Sequence, residues 1–450
     1  MISIPRISRT TNIWPDRRLV LDSTPSICFK SSSRSKTATA YTSRMTPNQE
    51  RFLPPSTTWR TIYAQSKEME STKLPIIGYA CASHLGESLS NPSGPHGASG
   101  QFGPPTLQLD STRLQLPYYS LDDDFDDPDR TERILFEVIE KALQRSQLSP
   151  AEIRHTGLFI GSSSYDLRDS EIDYRQKLEA GDQSAVPMPF TGYNRLGESI
   201  CRKFAIDSEP FNINSACTSS ANALLLAQSM VQQGFYEHAL VVGIELYNET
   251  TLNGFAGMQL IAEQRVAPFD KTRDGIILGE SCSAVIISRQ SKGSASLMLR
   301  GGGSCFDPYS ITTSNPDGST IARTLENALR ETGTERSDVV AIKTHGTATY
   351  MNDISESQGI LSAFPEQTPP ITAIKPYVGH TLGACGTLEL ILFAEALEQG
   401  YIPKTPNFEI SDPELSLTPL QEDLDATDGV YLLNYFGFGG SNTVLVVEKV

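Results

Sequence analysis

From residue 74 onward, short runs of consecutive apolar residues alternate with longer segments whose apolar positions recur every three or four residues. The short runs predict strands: LPIIGYA (74–80), TGLFIG (156–161), FNINSA (211–216), ALVVGIE (239–245) and SAVIIS (283–288). A second series follows: SLMLRGGG (296–303), VVAIKTH (339–345), VYLLNYF (430–436) and NTVLVVE (442–448). Several are apolar at successive positions, as strands covered on both faces are. The longer segments predict helices over 130–146, 193–204, 218–234, 320–332 and 384–399. Strand and helix in alternation predict an α/β fold. The Gly/Pro-rich stretch 87–117 is predicted to be a loop.

Two helical segments resemble each other. ACTSSANALLLAQSMVQQG (216–234) and GACGTLELILFAEALEQG (383–400) both open on small residues, continue apolar nearly all round, and end at Gly. A helix apolar all round is buried. A strand-like run precedes the first, and ITAIKPYVGH precedes the second. The pattern is a weak internal duplication: two halves, each with a buried helix at its centre. Residues 1–70 differ. They are rich in Ser, Thr, Arg and Pro and show no periodicity, so they are predicted to close no core. A disordered tail, an upstream extension ahead of Met69 and a transit-peptide-like leader are the three readings of this segment. The expected organisation is that segment, an N-terminal half over 71–318, and a C-terminal half over 319–450.

Composition narrows the class. A chain of 450 residues exceeds one hydrophobic core. Its 38% hydrophobic and 20% charged residues fit a soluble globular protein. No run approaches the roughly 18 apolar residues of a membrane span. The net charge of −16 divides into +7 over residues 1–68 and −23 over the remainder. An acidic body argues against nucleic acid as a partner. The seven cysteines are odd in number, scattered, and form no CxxC pair. That usage fits a reducing, cytoplasmic setting without disulfides or a zinc site. No HxxxH or acidic cluster suggests a metal, and RGGGS (300–304) lacks the rest of a phosphate loop, so no cofactor is expected.

The candidate chemistry starts at NINSACTSS (212–220). Read alone, Cys217 is more simply a packed thiol, the commoner fate of free cysteine. At the N-terminal end of a helix, however, the dipole and free amides favour thiolate and can hold an oxyanion. Among the chain's six histidines, His345 in KTHGTATYMND and His380 in KPYVGHTLGACG each stand next to Gly. Lys375 stands five residues before His380, Glu356 eleven after His345, and Glu389 nine after His380. Lys or Glu near buried histidines can fix tautomers and carry protons; a surface charge is the plainer reading of each. NYFGFGGSN (434–442) fits a turn that brings backbone N–H groups to a ligand, and equally a tight hairpin turn.

Taken in order, SACTSS, PFDKTRDGIILGE (268–280), SITTSNPDG (310–318), THGTATYMNDISE (344–356), KPYVGHTLGACG and FGFGGSN resemble the β-ketoacyl synthases, from about Leu74 to the C-terminus. The resemblance implies a thiolase-type fold, two similar halves in five αβαβα layers, and a dimer. It implies decarboxylative condensation of an acyl-enzyme thioester with malonyl-acyl-carrier protein in fatty-acid or type II polyketide elongation. Cys217 would carry the acyl chain, and the N–H groups of Cys217 and Phe438 would form the oxyanion hole. His345 and His380 would stabilise the enolate. Lys375, which would order His345, and Glu356 match supporting charges, and Glu389 a structural acid. Phe438 matches a gate and Phe436 its neighbour. TLNGFAGMQ (251–259) extends the resemblance to synthases of bacterial aryl-polyene clusters.

The Cys-His-His set fits elongating synthases better than the Cys-His-Asn of initiating ones or the Cys-His-Cys of thiolases. The alternative is a non-catalytic chain-length-factor partner in a heterodimer, in which the cysteine is vestigial. GESCSA (279–284), Cys385 and Ala348 depart from the family pattern at packing positions. The chain is expected to meet acyl-carrier protein in trans, as a homodimer or beside a synthase-like chain. Arg265, Lys271 and Arg273 could supply the positive charge an acidic carrier protein needs, although Arg273 could equally pair with Asp270 or Glu280. Pocket depth is expected to depend on the 160–200 region and on the dimer partner.

Overall fold

Strand order repeats within the molecule. The computed structural model describes residues 73–90, 107–109, 112–114, 116–186, 194–291 and 295–450. The expectations for residues 1–70, and for most of the 87–117 loop, lie outside these residues. The first five principal strands are β1 (Leu74–Ala82), β2 (Gly157–Gly161), β3 (Phe211–Ile213), β4 (His238–Glu245) and β5 (Ser281–Ser288). They lie side by side in the order β3-β2-β4-β5-β1. The second five are β6 (Leu297–Phe306), β7 (Val339–Lys343), β8 (Ile371–Thr372), β9 (Gly429–Gly437) and β10 (Ser441–Lys449). Their order is β8-β7-β9-β10-β6. Each set therefore reads third, second, fourth, fifth, first, with its first three neighbours parallel and the rest antiparallel. The duplication suggested by the two buried helices is a duplication of sheet topology.

The sets join at β1. Leu74 and Pro75 pair with β6, and from Ile76 onward the strand pairs with β5. Because Leu297–Phe306 heads the second set, the repeat starts upstream of the 318/319 division expected from the sequence.

Helices cover these sheets in three layers. α1 (Arg130–Ser146) buries Ile134, Leu135, Val138, Ile139, Ala142 and Leu143, an i, i+3, i+4 stripe that packs on β1 and β5. It ends at Gln147 in the left-handed conformation (φ 55°). α2 (Leu167–Glu179) and α3 (Arg195–Phe204) lie on the same half. α4 (Ser219–Gln232) is the predicted buried helix, and α5 (Glu249–Gly257) follows β4. α6 (Ser319–Thr332) and α7 (Tyr350–Ala363) pack on each other, and α6 covers β6 and β10. α8 (Cys385–Glu398) is buried at every position from Cys385 to Ala394. α4 and α8 touch each other and both sheets, so they form the middle layer. The result is αβαβα, as expected.

The pattern-based elements match within a few residues, whereas α2, α5 and α7 were not anticipated. α7 buries Asp353, Ser355, Glu356 and Ser357, polar residues that erase an apolar stripe. RGGGS continues the predicted strand, Leu297–Phe306. A Cβ on Gly302 would stand 2.0 Å from Val444 O, and one on Gly303 2.8 Å from Ala328 N. Close strand and helix contacts, not phosphate, explain those glycines.

One buried ion pair anchors the start of α1. Arg130, with no exposure, meets Glu280 through two bonds of 2.6 and 2.7 Å and Asp122 at 2.6 Å. Glu280 also accepts the N–H groups of Tyr247 (2.7 Å) and Leu121 (2.9 Å). Glu280 is thus fully engaged and unavailable to Arg273.

Candidate active site

Cys217 lies between β3 and α4. Ala216, at φ 53°, supplies the left-handed bend that turns strand into helix. The thiol is 5% exposed. His380 Nε2 stands 3.1 Å from its sulfur. The backbone N–H of Phe438, from the turn between β9 and β10, and that of Cys217 itself both point at the thiol. Burial pushes the thiol up to about 11, opposed by Lys375 and by these two amides. Two N–H groups converging beside a sulfur are the geometry of an oxyanion hole.

The FGFGG segment is a hairpin turn and also reaches the site, so both readings of it hold. Gly439 and Gly440 take left-handed conformations (φ 79° and 83°), and a Cβ on Gly440 would stand 2.0 Å from Asp307 O. The turn is tied to the 307–318 segment by Asp307 N–H to Gly440 O (2.7 Å) and Gly439 N–H to Ile311 O (2.6 Å). The Phe438 ring stacks on Phe255 of α5, with centroids 5.5 Å apart.

His345 leaves the end of β7. Lys375 Nζ stands 3.3 Å from its Nδ1. The ammonium donates there, which leaves the ring proton on Nε2. The His345 and His380 rings meet edge to face at 5.3 Å, and Phe436 lies 5.6 Å from His345. Burial, then Lys375, hold His345 well below the usual imidazole range. Burial, then Lys375 and Lys343, do the same for His380. His380 is pinned by its N–H to Ile277 O (2.7 Å) and by Gly279 N–H to its own carbonyl (3.1 Å). The PFDKTRDGIILGE segment thus sets the position of this histidine.

The acids act on backbone and on lysine, not on the imidazoles. Glu356 accepts the N–H groups of His345 (2.8 Å) and Gly346 (2.9 Å) and the side chain of Asn434 (3.0 Å). It shapes the loop that presents His345 and touches neither ring. Glu389 binds Lys375 at 2.7 Å and Lys343 on its other oxygen. Sequence reasoning passed over Lys343, although a lone charge inside an apolar strand run is a usable signal. It also passed over Glu245, which ends β4. Glu245 accepts N–H groups from Ser163, Ser164 and Gly383, each at 2.9 Å, and so ties the first half to the loop after His380.

A cavity opens onto Cys217. His345, His380, Phe436, Phe438, Phe255, Leu260 and Ile276 line it, with Thr312–Ser314 and Thr347–Asn352 at its sides. Among the described residues, none of the lining comes from the 160–200 region. Cys385 is not in the lining. It lies beneath Cys217, its thiol donating to Cys217 O at 3.0 Å. Among the described residues no cluster of His, Cys, Asp and Glu could hold a metal.

The surface candidates separate. Arg265 is half-buried and paired with Glu409 at 2.6 Å, and Lys271 is exposed. Arg273 is buried, its side chain paired with Asp412 at 2.6 Å and 3.8 Å from Asp353. A guanidinium so enclosed cannot meet a partner, so Arg273 is structural. Its partners are not the expected Asp270 and Glu280 carboxylates, since it reaches only the Asp270 carbonyl (2.9 Å).

Comparison with known proteins shows the family. The N-terminal β-ketoacyl synthase domain matches residues 121–293 and the C-terminal domain residues 298–409. The 3-oxoacyl-[acyl-carrier-protein] synthase 2 of Staphylococcus aureus is 28% identical over 311 residues, 65% of this chain and 75% of that protein. Its Coxiella burnetii counterpart is 28% identical over 335 residues, 69% and 81% of the two chains. The fold is shared with a chain of AntDE:AntF, a type II PKS acyl-carrier protein solved in complex with its ketosynthase, with TM-score 0.75, 20% identity, and 84% and 99% of the two chains covered. It is shared as well with the ketosynthase ApeO of Xenorhabdus doucetiae, solved with its chain length factor ApeC (0.72, 22%, 84% and 98%). No described helix is long and apolar enough to cross a membrane. The chain belongs to the β-ketoacyl synthase family and is a condensing enzyme of the fatty-acid or type II polyketide type.

Proposed function

We propose that Cys217, His380 and His345 carry chain elongation. The single observation behind this is the run of contacts on the cavity floor: sulfur to His380 at 3.1 Å, His380 beside His345, and His345 to Lys375 at 3.3 Å. In the resting site a neutral thiol faces a neutral imidazole. As sulfur attacks the thioester carbonyl of acyl-carrier protein, its proton moves to His380 Nε2 and on to the departing carrier thiolate. The N–H groups of Cys217 and Phe438 hold the oxyanion. Malonyl-carrier protein then loses CO2 by cleavage of its carboxyl–carbon bond. His345, with its proton on Nε2, and His380, in the tautomer that carries its proton on Nε2 once the carrier thiol has left, hydrogen-bond the enolate oxygen. The enolate carbon attacks the acyl thioester, and the Cys217 thiolate leaves and takes a proton from water to return to the resting thiol.

Lys375 fixes the His345 tautomer, Glu389 neutralises Lys375, and Glu356 holds the His345 loop. Phe438, stacked on Phe255, is the gate for the second substrate, with Phe436 behind it. The partner is acyl-carrier protein in its acyl and malonyl forms, met at a surface that includes Arg265 and Lys271. A second synthase-like chain, identical or not, pairs at the half-buried edge strand β3.

Incubation with acyl-carrier protein is expected to add the acyl mass to the Cys217 peptide, and Cys217→Ala to abolish the adduct. No adduct with any acyl donor would defeat the assignment. The second reading, a chain-length-factor role, draws on the paired chains among the structural neighbours. It predicts that a complex carrying Cys217→Ala still forms product.

A further inference from the structure

Lys343 is a buried charge that the steps above do not use. It ends β7, where Ala341 faces the middle layer and Ile342 the outer one. The period of two puts Lys343 with Ala341, against α8. It has no exposure. Its ammonium donates to Glu389 and to Asn434 O (2.8 Å), and sits 3.7 Å from the centre of the Tyr435 ring. Glu389 gives its other oxygen to Lys375 at 2.7 Å. One buried carboxylate therefore serves two buried ammonium groups.

An apolar side chain at this place would avoid the cost of burying an ammonium. The charge has a consequence at the histidines. Glu389 alone would neutralise Lys375; shared, it leaves positive field directed at His345 and His380. We infer that Lys343 is an electrostatic positioning residue, which shares Glu389 with Lys375 and thereby keeps both imidazoles neutral while the thiol reacts.

The surrounding groups support this direction. α8 contributes Glu389 and the Cys385 thiol, and β9 contributes Tyr435 and the Asn434 carbonyl. α7 contributes Glu356, whose carboxylate is held by the His345 and Gly346 amides and the Asn434 side chain. The His345 ring itself faces Lys375, His380 and Phe436 and contacts no carboxylate. Lys343 adds to burial and Lys375 in lowering both imidazoles. A neutral His345 is the form that accepts from Lys375 at Nδ1 and presents Nε2–H to the cavity.

The inference rests on the Cys-His-His reading, and its test does not need a turnover assay. The full chain with 13C-labelled histidine is titrated by NMR, alone and as Lys343→Met, Lys343→Gln and Lys343→Arg. In the unchanged protein burial and Lys375 are expected to keep the His345 and His380 midpoints well below the ordinary imidazole range. In K343M or K343Q, either of which suffices, the His345 midpoint is expected to rise by about half a unit or more. The acid limb of Cys217 alkylation by iodoacetamide is expected to move with it, and K343R to restore both. Equal midpoints in the unchanged protein and the neutral variants would overturn the inference. So would a His345 midpoint near the ordinary value of about 6.5 in the unchanged protein. Failure of Cys217 to take an acyl group, with these shifts intact, would instead count against the reaction assignment.

Discussion

The contact between the two central helices offers a direct test of how the site is held. A Cβ added to Gly386 would stand 2.2 Å from Ala221 N, 2.8 Å from Ala221 Cα and 2.7 Å from Ser220 Oγ. Two of these atoms are α4 backbone and cannot rotate away. Ordinary contact begins at 3.4 Å, so α4 and α8 must part by 1.2 Å, the difference from the shortest approach. In Gly386→Ala the gain in helix propensity is about 1 kcal/mol. The overpacking cost is about 1–3 kcal/mol, so strain wins and net stability falls. The functional effect is larger. Cys217 precedes α4 and His380 precedes α8, so their 3.1 Å contact is stretched beyond hydrogen-bond range. A misplacement of about 1 Å at reacting groups costs on the order of 100-fold in rate. Urea unfolding reads the stability, and condensation of acyl- with malonyl-carrier protein reads kcat. A Gly386→Ala protein as stable as the unchanged one, with kcat within about threefold, would refute close helix contact as what sets the Cys217–His380 distance.

Two further outcomes are expected. Burial pushes the Asp353 carboxyl up to about 7, against its bonds from Phe269 N–H (2.8 Å) and Asn352 (3.1 Å) and against Arg273 at 3.8 Å. The folded state therefore binds this proton more tightly than the unfolded chain, whose value is 3.8. Stability from this group is full below about pH 4 and is lost as pH rises towards 7. Asp353→Asn is expected to flatten that part of the stability profile in urea titrations at pH 5 and pH 8; an unchanged slope would show that Asp353 does not titrate there. In Cys385→Ala, loss of a weak thiol donor to Cys217 O is expected to change kcat by about threefold or less. Complete loss of turnover would mean that the second thiol takes part in the chemistry, as in a thiolase.

The strands were legible because β1, β2, β4, β5 and their counterparts in the second half are covered on both faces. Their apolar runs then show without any knowledge of neighbours. The two central helices were legible for the same reason, being apolar around their circumference. α7 was not, because its buried face carries Asp353, Ser355, Glu356 and Ser357. Polar residues mark a buried face only once their partners are known, and those partners are the Phe269, His345 and Gly346 amides. Arg273 looked like a surface cation because its acid, Asp412, lies 139 residues away.

The sequence by itself determined the α/β class, the duplication, and the candidates for the chemistry, Cys217, His345, His380 and Lys375. These depend on local pattern and on motifs in a set order. Tertiary structure decided how those residues act. It placed Glu356 on backbone amides, gave Glu389 two lysines, set Cys385 under Cys217 and brought Glu245 across to the His380 loop. Each of these is a contact between segments far apart in the chain. Only the packing of the two half-sheets around α4 and α8 fixes which buried charge faces which, because a desolvated charge keeps its place only where a partner from another segment meets it.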